Sequence, residues 1–215
     1  GGVGASGMPP TGRLGGGFRS TRCGNRVVSV ARHAGQVVGF FRVPVAHLTT
    51  VTILANLCKL RLDLSRLVAV ATDAGGAKRA GRFSEWLGIP LAIIDKRRVS
   101  DTKVTQSQVV GDVQDRDAVV FEDEISTGGT LISTVQTLKE AGVRTIHAGA
   151  VHGVLCGPAV ERLRAAEIES IVVTNTVCLP PEKRLGKITQ LTVAPLFAAA
   201  IERIHSGESV GALFQ

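Results

Sequence analysis

Residues 119–131 read VVFEDEISTGGTL. An apolar run ends in the acids Glu122 and Asp123, and the turn Thr127-Gly128-Gly129-Thr130 follows within a few residues. Adjacent carboxylates repel each other, and glycines lose more backbone entropy on folding than any other residue. A chain sustains both where a ligand offsets the cost. Small residues let successive backbone N–H groups converge on one point, and the helix expected from residue 129 adds its N-terminal dipole. The hydroxyls of Ser126, Thr127 and Thr130 are further donors. The turn Ser126–Thr130 therefore has the chemistry of a phosphate cradle. Glu122 and Asp123 are acceptors, which suit ribose hydroxyls or a Mg²⁺ ion held through water. The plainer alternative is a glycine-lined turn beside solvated acids.

The pattern around this stretch predicts an α/β fold. Short β-branched runs (RVVSV, LVAVA, LAIID, AVVFE, TIHAGAVH, SIVVTNT, ITQLTVA) alternate with amphipathic segments near 47–60, 75–87, 129–141, 158–166 and 195–205. Strands apolar on both faces belong to a parallel sheet covered by helices on both sides. Leu131, Val135 and Leu138 share one helical face, and Gly142 is the expected stop. Hydrophobic residues make up 44% of the 215 but aromatics only 4%, so Val, Ala, Leu and Ile must fill the core. Residues 1–24 are Gly-, Pro-, Ser- and Arg-rich without apolar periodicity and read as disordered.

Several function classes recede on composition. No apolar run reaches the ~18–20 residues of a membrane span, and no secretory signal is apparent. Cys23, Cys58, Cys156 and Cys178 form no CxxC pair, which argues against a zinc site and for free thiols in the cytoplasm. The net charge of +7 is compatible with nucleic acid, but no nucleic-acid-binding motif accompanies it. An anionic phosphate ligand accounts for a local basic cluster equally well.

In sheets of this kind ligands bind beyond the carboxyl ends of the strands. Asp73-Ala74-Gly75-Gly76 follows LVAVA, and Asp95-Lys96-Arg97-Arg98 follows LAII. With Glu122, Asp123 and the cradle, three strand ends carrying charge or glycine are expected to share one pocket. Asp73 suits either a metal ion or a helix cap. Lys96 and Arg98 suit clamps on transferring phosphates, and His33 on its own reads as a structural histidine.

The ordered motifs HAGQVVGFFRVPVAHL (33–48), TDAGGAKRA (72–80), IIDKRR (93–98), FEDEISTGGT (121–130), HGVLCGPAVERL (152–163), VVTNTV (172–177) and HSGESVGALF (205–214) closely resemble the C-terminal portion of the ribose-phosphate pyrophosphokinase (PRPP synthetase) family. The resemblance runs from about Arg26 to the end. FEDEISTGGT by itself indicates only the wider phosphoribosyltransferase type I-like fold; DAGGAKRA, DKRR and the HSGESVGALF end together are much more specific.

The resemblance implies transfer of the diphosphoryl group of MgATP to the C1 hydroxyl of ribose 5-phosphate. Ser126, Thr127, Gly128, Gly129 and Thr130 would hold the 5-phosphate, with Glu122 and Asp123 at the ribose. Asp73, with Gly75 and Gly76, would face the diphosphate and its Mg²⁺. Lys96 and Arg98 would be catalytic, and His33 would be a metal ligand on the ATP side. It also implies a homo-oligomer, or association with a full-length synthetase. On this reading residues 25–58 are the tail of the family's first domain and 59–215 are the phosphoribosyltransferase-like domain.

Beside the family pattern most of the first domain, which supplies much of the nucleotide site, is missing. The chain alone is therefore expected to bind ribose 5-phosphate but turn over poorly. Three local departures accompany this. Ala31-Arg32-His33 stands where the family usually has Asp-Leu-His. The acid pair is Glu-Asp rather than Asp-Asp, and Ser126 stands where many members have an acid. Two other readings remain: a non-catalytic synthetase-associated subunit, and a phosphoribosyltransferase that consumes PRPP.

Overall fold

The computed structural model describes residues 25–30, 41–98 and 105–214. The expected disorder of residues 1–24, and His33, lie outside these described residues.

Residues Thr50–Val193 form one compact unit, and the described residues before Thr50 group with those from Ala194 onward in a second. A division after residue 58 was expected from sequence. The larger unit takes in the whole of helix α1 (Val51–Arg61). In the second unit, strands β1 (Val27–Val30) and β2 (Val45–Leu48) pair in parallel, Val27 opposite Val45. The other described elements of that unit are helix α5 (Ala194–Ser206) and a 3₁₀ turn (Val210–Phe214). The helix expected near 47–60 starts only at Val51, because His47 and Leu48 are taken into β2.

The larger unit holds a seven-stranded sheet. Its strands are β3 (Leu67–Ala71), β4 (Leu91–Arg98), β5 (Thr105–Val110), β6 (Asp117–Ile125), β7 (Thr145–Gly153), β8 (Ser170–Thr174) and β9 (Ile188–Leu191), in the order β5-β4-β3-β6-β7-β8-β9. All pairings are parallel except β4 with β5, which is antiparallel. An edge strand of this kind is common on an otherwise parallel sheet. Its sequence, TQSQVV, carries too little apolar signal to announce a strand. Gly111, which follows β5 beside Ala92 at the start of β4, has φ of 125°, and an added Cβ there would stand 2.9 Å from Ala92.

Helices α2 (Ala77–Leu87), α3 (Gly129–Glu140) and α4 (Ala159–Ala165) complete the unit. All five residues of β3 are buried, as a central parallel strand requires. In β6 successive side chains alternate between faces. Ala118 and Val120 join Leu131, Val135, Leu138 and Leu163 in one core layer on the side of α3 and α4. Phe121 turns the other way and stacks on Phe83 of α2, ring centroids 5.0 Å apart. The sheet is thus covered on both faces. Gly142, with φ of 81°, ends α3 as expected, and the Val143 N–H returns to the Leu138 carbonyl at 3.0 Å. Cys58, Cys156 and Cys178 are free, and burial pushes the Cys58 thiol up to about 11.

Candidate functional site

Strand order reverses between β3 and β6. From β3 the chain moves to β4 on one side, and from β6 it moves to β7 on the other. Such a switch point opens a crevice at the strands' carboxyl ends. A cleft of about 220 Å³ lies there, lined by Thr72 and Asp73 after β3 and by Glu122, Glu124 and the run Ile125–Leu131 from β6 into α3.

The cradle is built from the backbone outward. Gly128 precedes α3 with φ of 74°, a left-handed conformation that strains any residue with a Cβ. No side chain caps α3, so its first-turn N–H groups remain at the cleft for a ligand. Behind the turn runs the β7–α4 connection. The Leu155 N–H donates to the Ile125 carbonyl and the Cys156 N–H to the Ser126 carbonyl, both at 3.0 Å. Arg162 of α4 donates to the Thr127 carbonyl at 3.0 Å. The Ser126 hydroxyl lies 3.2 Å from the Cys156 sulfur. Leu155 is buried with φ of 47°, so the connection that braces the turn itself carries backbone strain.

On the facing lip, the Asp73 carboxylate accepts the Gly76 N–H at 2.7 Å through Oδ1. That bond closes the turn ahead of α2, whose N-cap residue Gly76 provides no side-chain cap, and Asp73 also lines the cleft. A Cβ on Gly75 would come within 3.2 Å of that same oxygen. Two glycines let the chain close around the aspartate.

The two acids of β6 part company. Glu122 lines the cleft, and burial pushes its carboxyl above the ordinary range; the Thr72 hydroxyl and the charges of Arg79 and Lys96 act against that, and Asp73 adds to it. Asp123 is paired with Arg79 of α2 and does not line the cleft. Its place there is taken by Glu124, which sequence reasoning passed over. The signal was present: residues 122 and 124 share a face at a period of two, and 122 and 123 do not. Thr72 and Arg162 were also missed; Arg162 reaches the turn from 35 positions away and leaves no local mark.

Lys96 lies on β4 opposite Ser107, exposed and within electrostatic reach of Glu122. Arg98 closes β4 opposite Thr105, and its side chain lies outside the described residues. The cleft therefore unites Asp73, Glu122 and Ser126–Thr130, with Lys96 beside them. Among the described residues no group of three or more His, Cys, Asp or Glu could enclose a metal ion. Two carboxylates with hydroxyl neighbours still fit Mg²⁺, which keeps most of its waters and leans on substrate phosphates.

The family model described as "Phosphoribosyl synthetase-associated domain" matches residues 98–215. The chain belongs to that family. Synthetase relatives of the same kind extend the match beyond the domain. Ribose-phosphate pyrophosphokinase of Rhodopirellula baltica is 43% identical over 198 residues, covering 91% of this chain and 63% of the relative. That of Bacillus caldolyticus is 39% identical over 206 residues, covering 96% and 65%. The crystal structure of phosphoribosylpyrophosphate synthetase from Mycobacterium smegmatis superposes with a TM-score of 0.83 at 33% identity, covering 93% of this chain and 65% of that one. The chain spans less than two thirds of the length of these phosphoribosyl synthetase relatives. Its fold is that of the type I phosphoribosyltransferases, as expected. Among the described residues no helix is long and apolar enough to cross a membrane.

Proposed function

We propose that the chain carries the ribose 5-phosphate side of a ribose-phosphate diphosphokinase, the reaction that makes PRPP and AMP from ribose 5-phosphate and MgATP. The observation that carries this reading is the switch-point cleft, where an N–H-rich turn faces Asp73 and Glu122 across about 220 Å³. The turn Ser126–Thr130 binds the 5-phosphate through backbone N–H groups and hydroxyls. Glu122 accepts hydrogen bonds from the ribose hydroxyls. Asp73, supported by Gly75 and Gly76, faces the diphosphate, and Mg²⁺ there supplies charge neutralisation. The C1 hydroxyl oxygen attacks the β-phosphorus, the bond between the α-phosphate oxygen and that phosphorus breaks, and AMP leaves while the hydroxyl proton passes to water. Lys96 and Arg98 neutralise charge on the transferring group. His33, Asp123, the oligomer and the cytoplasmic setting complete the reading by family resemblance.

Sequence alone also raised a non-catalytic associated subunit and a PRPP-consuming transferase, and one experiment separates all three. The purified chain is titrated calorimetrically with ribose 5-phosphate in Mg²⁺, ATP is then added with an assay for AMP, and a parallel sample receives PRPP with a nucleobase and is assayed for PRPP. Binding followed by AMP release supports the proposal. Binding without AMP points to the associated subunit, base-dependent loss of PRPP points to the transferase, and no binding overturns the cradle.

A further inference from the structure

Three consecutive carbonyls of the strand-to-helix turn are tied to one neighbouring segment. The Ile125 and Ser126 oxygens accept the N–H groups of Leu155 and Cys156, and the Thr127 oxygen accepts from the Arg162 guanidinium. In a trans peptide the carbonyl and the following N–H point in opposite directions. Turning the first two oxygens toward the β7–α4 connection and the third toward α4 therefore turns the N–H groups of Ser126, Thr127 and Gly128 away from those segments. The cleft that Ser126, Thr127 and Gly128 line has Thr72 and Asp73 on its other lip, after β3 on the far flank of β6.

The three anchors differ in kind. The first two are backbone groups of a connection anchored by the buried Leu155, and they do not depend on a particular side chain. The third is one side chain. It holds the peptide that most needs holding, because Gly128 tolerates φ of either sign and a flip of the Thr127–Gly128 peptide meets little steric resistance. A flipped peptide would withdraw an N–H from the anion and present a carbonyl oxygen in its place.

We propose that Arg162 is a positioning residue of the phosphate cradle: by fixing the Thr127 carbonyl it aims the Gly128 N–H at the phosphate of the bound sugar. The inference rests on the cradle reading above, and it assigns the guanidinium to the loop backbone rather than to the ligand. Its Nη1 also stands 3.6 Å from the position a Gly129 Cβ would take, so it lies along the outside of the turn.

The test follows the backbone amide signals of Ser126, Thr127 and Gly128 by NMR during titration with ribose 5-phosphate, for the unsubstituted chain and for Arg162→Met. All three signals move in the unsubstituted chain. In Arg162→Met the Gly128 shift is lost while those of Ser126 and Thr127 persist, and affinity falls roughly tenfold, as for one hydrogen bond to a charged group. Weakened binding with the Gly128 shift intact would mean that the arginine acts by charge alone and would overturn the proposal, as would unchanged affinity. If no amide moves in the unsubstituted chain, the cradle reading fails first and takes this inference with it. Should Arg162→Met melt early, Arg162→Lys, which keeps stem and charge but not the planar fork, makes the same comparison.

Discussion

Asp123 is paired with the Arg79 guanidinium on α2, while its neighbour Glu122 lines the cleft on the other side of the same strand. The two acids that look alike in sequence thus do different work. Arg79→Met should lower stability by about 1–2 kcal/mol, the scale of a lost hydrogen bond to a charged group. It should change ribose 5-phosphate affinity less than twofold. Urea denaturation and calorimetry on the one variant check both halves.

Glu122→Gln should do the reverse. Burial holds the Glu122 carboxyl above its ordinary value of 4.5. The folded chain therefore binds that proton more tightly than the unfolded chain, and stability is lost as pH rises through the folded value. Glutamine removes that loss. The variant should melt higher than the parent at pH 7–8, and the advantage should vanish below pH 4.5. Ribose 5-phosphate should bind it at least several-fold more weakly. Melting curves across pH, beside calorimetry, give the answer.

Asp117 shows the opposite sign. Arg144 hydrogen bonds to it and holds its carboxyl below its ordinary value of 3.8. That stability is present above the ordinary value and is lost as pH falls through the lowered one. Arg144→Gln should therefore cost stability at neutral pH and flatten the acid limb of the urea midpoint against pH.

Gly128→Ala meets little contact, since the nearest atoms to a new Cβ lie 3.9 Å away, in Ala159 and Leu163. The strain is in the backbone, and about 1 kcal/mol of stability should go with it. Sugar-phosphate binding should suffer more than folding does. Gly111→Ala is a different case: its Cβ would stand 2.9 Å from the Ala92 backbone, with φ of 125° as well. That should cost more than about 3 kcal/mol and release the β4–β5 edge, visible as rapid amide exchange in Thr105–Val110.

The central elements were legible because one interaction dominates each of them. LVAVA is buried on both faces and reads as a strand, and Leu131, Val135 and Leu138 repeat at a helical period with a glycine stop. The turn Ser126–Thr130 was legible because glycine and hydroxyl residues coincide at a strand end. The edge strand β5 was not, because its polar residues are held mainly by backbone pairing with β4. Glu122 and Asp123 are neighbours in sequence but point to opposite faces of a pleated strand, and of the two only Glu122 lines the cleft. Arg162 was invisible for a plainer reason: a side chain reaching a distant carbonyl needs only length and a donor, and any surface arginine has both.

The detour of the chain through β4 and β5 before it returns as β6 has a mechanical meaning. The two lips of the cleft touch along β3 and β6 but belong to stretches of chain separated by the whole β4–β5 hairpin. Under the proposed reading, a small anion bridging them would act as a rivet through the seam of the sheet. Its effect should be felt less in the edge hairpin, which can peel away alone, than in the β3–β6 contact, where opening must first expel the ligand.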